Sequence, residues 1–513
     1  MSLHAVATAE TDTGVEQSHV YDGLGTEKDP FVVEFRKGDP GNPMNWSHFR
    51  KCVITAIATL SVFAVTLTSS AYSESSNEVM RDFDISSEVF ILGVSLYVLG
   101  FAVGPALWGP LVFVTILQRS EVYGRQLLWI VSHVSMVAFI GGSAGSQNII
   151  TLLILRFLAG TFGGSPLVNS GGTIADMFSP AQRGLAMVIY CVAPFLGPVV
   201  GPVMGGFISE NVGWRWVQGL CCILVGIIGM LGIISSSWKH WPVLTGAAMR
   251  RAKHLSITDG KIYISVLERS QGKKKPSEVF KRALLRPWVL LFLEPIGLVA
   301  STYMAIIYGT VYLFMGAMPV VYNQDRQWSE GIGGLAFLGI AVGIILGVVY
   351  SIYDNDRRYM KLFLSQKATA EARLPPAIVG ALALPVGMFA FAWTIYPSIH
   401  WSVGIILTAP FGAGCVLVIM PLINYLIDSY TIYAASVLAA AAIFRAIVGA
   451  AFPLFTNQLY AGLGVHWASS IPAFLTLLCM PFPLIMHRYG RMLRMKCKYS
   501  FEAAEMMKRM QSK

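Results

Sequence analysis

The chain has 513 residues, of which 55% are hydrophobic and 13% charged, and 38 Lys and Arg against 28 Asp and Glu leave it a net charge of +10. It is too apolar for a soluble chain of this size, so lipid is the solvent for most of it. Nucleic acid is excluded as the reason for the basicity: between Lys239 and Arg286 twelve Lys or Arg face only Asp259, Glu268 and Glu278, so one loop holds nearly the whole excess.

The first 48 residues are polar and contain no short apolar segment ending in a cleavage site, so the first span is expected to insert the chain. A helix needs about 20 apolar residues to cross the hydrocarbon core. On that measure twelve spans are predicted, at 52–72, 89–111, 127–145, 149–169, 185–208 and 214–236, then at 288–309, 331–353, 376–396, 401–424, 431–455 and 467–486. The expected fold is an all-α polytopic membrane protein with a polar N-terminal segment (1–48), a six-helix lobe (49–237), the basic central loop (238–286), a second six-helix lobe (287–487) and a basic tail (488–513). Arg286 to Tyr322 is one apolar run, long enough for a long or broken helix.

Alternate loops differ in basic residues. One set holds Arg36, Lys37, Arg50 and Lys51, then Arg125, Arg183, the central loop, Arg357, Arg358, Lys361, Lys367, Arg373 and the tail from Arg488. The other holds the acidic stretch from Glu74 to Glu88 and the short link from Tyr396 to His400. The positive-inside rule makes the first set, and both termini, cytoplasmic. The seven cysteines lie in apolar runs or near the cytoplasmic ends, without the spacing of a zinc site or a disulfide framework.

Three ionisable residues fall within spans: Arg156 in the fourth, Glu294 in the seventh and Arg445 in the eleventh. Each costs about 2.5–3.5 kcal/mol on insertion scales. They either face a water-filled path, coupling protonation or substrate charge to movement, or form static pairs and snorkel. Glu294, the only carboxylate deep in a span, is the best protonatable candidate, whereas Asp428 at the end of the tenth span has an equally good reading as a solvated cap. In the fifth span, GPVVGPVMGG puts Gly197, Gly201 and Gly205 four residues apart beside Pro198, Pro202 and Gly206, a pattern for close packing and bending. Candidate cavity residues are Thr66, Ser69, Ser70 and Tyr72, then Tyr303, Tyr308 and Tyr312, then Asn424 and Tyr425. Ordinary packing and interfacial tyrosine belts are the competing explanation for them.

These segments resemble the major facilitator superfamily, in particular its fungal twelve-span drug:proton antiporter branch. The likeness covers residues 39–495 and is carried by DPGNPMNWS from Asp39, GVSLYVLGFAVGPALWGPL from Gly93, RFLAGTFGGSP from Arg156 and GPVVGPVMGGFI in the fifth span. EPIGLVASTYMAIIYGTVYL, EARLPPAIVGA, NYLIDSYTIYAAS and FPLFTNQLYAGLGVHWASS extend it through the second half. The resemblance implies two six-helix lobes around a site open alternately to either side. It makes Arg156 the proton-coupling arginine and Gly201, Pro202, Gly205 and Gly206 the antiporter hinge, and it sets Glu294 and Arg445 along the second lobe's part of the path.

It also implies a cytoplasmic latch of Gly109, Glu121, Gly124 and Arg125. Here Val112 to Arg119 intervene without a counterpart, and as helix they would displace Glu121 and Arg125 by about 12 Å at 1.5 Å per residue. A second departure is SSSWKHWPVLTGAAMRRAKHLS, which replaces a Pro-Glu-Thr element after the sixth span.

The function implied is proton-coupled export of small lipophilic or amphipathic compounds, without a cofactor and with the proton gradient as energy source. Expected partners are the bilayer, the small-molecule substrate and protons, with no nucleic acid; a monomer in the plasma membrane is expected, with the vacuolar membrane as second location. An importer or facilitator of a metabolite or polyamine fits the same fold. A polytopic sensor or membrane enzyme is the alternative of another class, disfavoured because the chain has no Walker A loop, zinc-ligand cluster or nucleophile elbow.

Overall fold

The computed structural model describes residues 42–117, 124–178, 180–236 and 276–511, with short pieces at 6–9, 17–20, 23, 25–26, 29–33, 255–256 and 258–265. Within lipid the backbone must satisfy its own hydrogen bonds, and each predicted span is accordingly helical. The first (His48–Ala71) starts at Ser47, whose side chain accepts the Arg50 N–H. The second to sixth are Ser87–Leu117, Gly124–Ala144, Ile149–Met177, Pro180–Val212 and Trp214–Ser236. In the second half Pro295–Met318 is the seventh, and the eighth to tenth are built on Leu338–Asp354, Pro375–Thr394 and Ala409–Tyr430.

Ten stretches of described residues meet the length and hydropathy of a crossing. One of them, Ala434–Lys496, turns back at Gly464, where φ is +74°, so 434–463 and 465–496 are the eleventh and twelfth spans. Leu128–Ala144, shorter but apolar, occupies the third position. The chain is thus a multi-pass membrane protein of two six-helix lobes. An even number of crossings places the start of the first span and the end of the twelfth at one end of the bundle, called here the basic end.

The seventh span starts later than the sequence suggests. Pro295 removes a backbone donor and disfavours helical geometry in the residue before it. Glu294 accordingly takes an extended conformation (φ −108°, ψ 100°), separating a preceding helix, Pro276–Leu293, from the span proper. Glu294 therefore sits at the mouth of the seventh span rather than deep within it. The second span, by contrast, stays helical through Leu117, so most of the extra segment prolongs it.

One short stretch of the central loop meets the N-terminal segment. Phe31–Val33 pairs in parallel with Tyr263–Ser265, Phe31 opposite Tyr263 with ring centroids 5.0 Å apart, so the N-terminal segment holds the loop by main-chain bonds.

Lipid gives helices no hydrophobic drive toward each other, and small residues let the backbones touch instead. Gly197, Gly201 and Gly205 all press on the first span: an added Cβ would overlap Thr66 Oγ1, Ser70 Oγ and the Ala71 carbonyl in turn. Gly206 and Pro202 face the other lobe, where the Glu330 carbonyl and Gly334 lie against them. The fifth span thus seals two neighbours at once. The eighth and tenth spans make a comparable seam, with Gly339, Gly343 and Gly412 against the backbone of Ile405, Ala409 and Ile340.

Candidate functional site

Arg156 is 1% exposed, and its guanidinium ties four spans together. Nε donates to the Gly93 carbonyl on the second span at 2.8 Å, Nη2 to the Ser69 carbonyl on the first at 3.2 Å, and Nη1 to Gln218 Oε1 on the sixth at 3.4 Å. The rings of Tyr72 and Tyr97 lie 4.1 and 5.2 Å from its central carbon. Among the described residues its charge is balanced by oxygen dipoles and ring faces rather than by a carboxylate.

From this knot a chain of hydroxyls crosses to the other lobe. Ser69 Oγ donates to the Thr66 carbonyl at 2.6 Å, and it is therefore the acceptor for Tyr312 at 2.8 Å. Tyr312 in turn accepts from Tyr308 at 3.5 Å. Arg445 lies over the Tyr308 ring at 5.0 Å, half-buried, with Tyr190 and Cys191 of the fifth span as electrostatic neighbours. The structure thus links Arg156 and Arg445 through Ser69, Tyr312 and Tyr308, side chains from the first and seventh spans.

At the end away from the termini the lobes are in contact. Glu210 accepts the Gly331 N–H at 3.0 Å, Asn77 donates to Glu330 at 2.9 Å, and Asn457 donates to Ser87 at 2.7 Å. Buried in this seal is Glu74, 2% exposed, with one carboxyl oxygen unpartnered and Glu330 as its charged neighbour. Among the described residues no Lys or Arg pairs with either carboxylate. Sequence reading passed over Glu74 because the first span was ended at Tyr72. The signal was there in SSAYSESSNEV, a carboxylate one turn beyond a run of small hydroxyl residues.

At the basic end a small pocket of about 40 Å³ lies between the lobes, lined by Gly184 and Val188 from the fifth span and by Arg358, Arg373, Met420 and Asn424 across from them, and Gly184 packs close to Asn355 beside it. Both arginines are engaged: Arg358 grips Asp354 with two bonds of 2.7 Å, and Arg373 reaches Asp428 at 3.1 Å. Asn424 thus lines the pocket, and Asp428 is an ion-pair partner.

Glu294 faces the tail. It accepts from Tyr430 Oη at 3.0 Å and from the Tyr499 N–H at 2.9 Å, at the start of the helix Lys498–Gln511. Beside it, burial and then the Glu294 charge push the Cys497 thiol up to about 11. Arg494 on the twelfth span pairs with Glu371 at 2.6 Å.

The remaining candidates are spread through the molecule. Ser70 is shut into the seam between the first and fifth spans. Tyr303 is buried within the second lobe near Cys415 and Cys479, and Tyr425 sits against Gly490 and Glu371 at the basic end. Of the tyrosines named as candidates, Tyr308 and Tyr312 stand between the lobes. Of the latch, Gly109 lies on the second span with none of the described residues against it and Gly124 begins the third; Glu121 and the Arg125 side chain lie outside the described residues.

Comparison with known proteins agrees with this architecture. Residues 53–453 match the family model of the Major Facilitator Superfamily. The chain is 72% identical to a major facilitator-type transporter, sorT, of Penicillium rubens, over 99% of this chain and 96% of that one. It is 52% identical to an MFS-type efflux pump of Trichophyton rubrum, over 96% of this chain and 81% of that one. Among solved structures, the proton:xylose symporter XylE superposes with a TM-score of 0.62 at 18% identity, covering 86% of this chain and 96% of its own, a likeness of fold alone. With its twelve spans, two lobes and a polar path between them, the chain belongs to the Major Facilitator Superfamily and is a membrane transporter, not an enzyme.

Proposed function

We propose that this transporter exports small lipophilic or amphipathic compounds from the cytosol by alternating access, driven by protons moving inward. Resemblance to the Trichophyton rubrum efflux pump supports the direction. The hydrogen-bonded seal between the lobes at the end away from the termini is the gate that alternating access would open outward, with the basic end cytoplasmic by the positive-inside rule. The division into lobes at the central loop, a monomeric state and residence in the plasma membrane belong to the same proposal.

The observation that carries proton coupling is Glu74. A carboxyl buried in the seal, with a free oxygen and a second carboxylate beside it, joins lobe closure to its own protonation. Opening the seal exposes Glu74 to the outer medium, and reclosing favours the form with a proton bound. Arg156 takes the conformational part, because it holds the first span, on which Ser69 and Glu74 both depend, against the second, fourth and sixth.

The test is efflux of a panel of fluorescent lipophilic compounds from cells lacking their own pumps. The transporter should lower accumulation, and a protonophore should abolish that effect. Glu74→Gln keeps the shape of the side chain but cannot exchange a proton, and it should flatten the pH dependence of efflux and cut its rate about tenfold. Unchanged accumulation across the panel would sink export. A pH profile identical to wild type would remove Glu74 from coupling.

A further inference from the structure

We infer that Arg445 is the recognition site for an acidic group on the substrate, so that the exported compounds include organic anions such as aromatic carboxylates and phenolates. The inference rests on the export reading above and adds the chemistry of the cargo.

Three observations carry it. Arg445 is an intramembrane guanidinium that, among the described residues, makes no hydrogen bond or ion pair, whereas Arg156, Arg358, Arg373 and Arg494 all do. Leaving a cation without acceptors inside a bundle is costly, and a bound anion with two oxygens offsets that cost by matching the planar fork of donors. The side chain is only partly buried and lies between the lobes, since its neighbours Tyr308 and Tyr190 belong to helices of opposite lobes. The Tyr308 ring, 3% exposed and bonded through its hydroxyl to Tyr312, backs the guanidinium from one side, so that the donors at the edge of the fork are what a bound anion meets.

Access follows from the fifth span. Gly184 and Val188 line the pocket at the basic end, and Tyr190 and Cys191 come within the next turn of the same helix, about 1.5 Å deeper per residue. An anion approaching from there meets Arg358 and Arg373, whose charges already face carboxylates, before it comes to Arg445, which among the described residues has no hydrogen-bond acceptor. The mouth thus steers, and Arg445 selects.

Binding of tritiated 1-naphthoate and tritiated 1-naphthamide to purified full-length protein tests this, because the two differ in charge and hardly in size. Wild type should bind the carboxylate about tenfold more tightly than the amide. Arg445→Gln should bring the carboxylate to the level of the amide while leaving the amide unchanged, and Arg445→Lys should keep most of the preference. Equal wild-type affinities, no wild-type binding of either compound, or equal weakening of both by Arg445→Gln would overturn the inference. If Arg445→Gln does not fold, the wild-type ratio decides. Efflux insensitive to a protonophore would count against the coupling proposal without altering this ratio, so the two readings fail separately.

Discussion

Arg156 and Arg445 carry the same side chain at membrane depth in opposite lobes, and their surroundings differ in almost every respect. Arg156 is sealed from solvent, bonded to three oxygens on three helices and flanked by two rings. Arg445 is half-buried and touches one ring. A guanidinium whose donors are committed is part of the scaffold and moves only when that scaffold moves. One whose donors are idle awaits a ligand. Ser69, Tyr312 and Tyr308 lie between the two, in contact through hydroxyls on the first and seventh spans.

The largest effect should come from breaking the committed arginine. Arg156→Ala leaves three buried acceptors and two ring faces without their cation, and a buried acceptor left unsatisfied costs about 1–3 kcal/mol. Export should fall below detection and the detergent-extracted protein should lose much of its thermal stability. Arg156→Lys restores charge but not the three-way fork, and should recover stability more than transport. A lysine variant that transports like wild type would mean that charge alone matters at this position, and the contrast with Arg445 would shrink to one of burial.

Next in size is the seam on which the Arg156 knot leans. Gly205→Leu places a side chain where the Ala71 carbonyl already lies, two helical turns from Gly197 on the same ridge. Overpacking of this kind costs about 1–3 kcal/mol, and here it would push the first span, with Ser69 and Glu74, away from the fifth. Export should drop for acidic and neutral compounds alike. This separates it from Arg445→Gln, whose effect should be confined to acids. Selective loss of one class in Gly205→Leu would show that the seam itself touches the substrate.

These distinctions set the boundary of what the residues alone make legible. Lipid forces about 20 apolar residues and a closed set of backbone bonds on each crossing, so twelve spans and their grouping can be read from hydropathy and loop charge. Helix faces cannot be read that way, because nearly every face of a buried span is apolar. Ser70 and Tyr303 therefore looked as suited to a cavity as Tyr308, although one is shut into a seam and the other into a lobe. Glu294 sits in LLFLEPIG, where hydropathy runs on without interruption; only Pro295 marks the break, and its meaning depends on the tail helix that docks there. The idleness of Arg445 is out of reach of sequence altogether, since it depends on which side chains of other helices come near it.

Glu294 supplies the smallest effect and the finest test of the comparison, because the sequence set it beside both arginines as a charge within the path. Its two carboxyl oxygens are committed, one to Tyr430 and one to the N–H of Tyr499. By the logic that separates Arg156 from Arg445 it is scaffold, and what it holds is the tail helix rather than the lobes. Glu294→Gln keeps both acceptor geometries on one oxygen at most and gives up the charge. Hydrogen bonds to a charged acceptor are worth roughly 1.5–3 kcal/mol against about 0.5–1.5 for a neutral one, so the tail contact should weaken by about 1 kcal/mol. Limited proteolysis after Lys498 should quicken about fivefold, while the pH dependence of export stays as in wild type. If the pH profile shifts and the tail remains equally protected, then a committed side chain can still serve as a proton site, and bonding state would no longer tell scaffold from ligand-binding charge in this transporter.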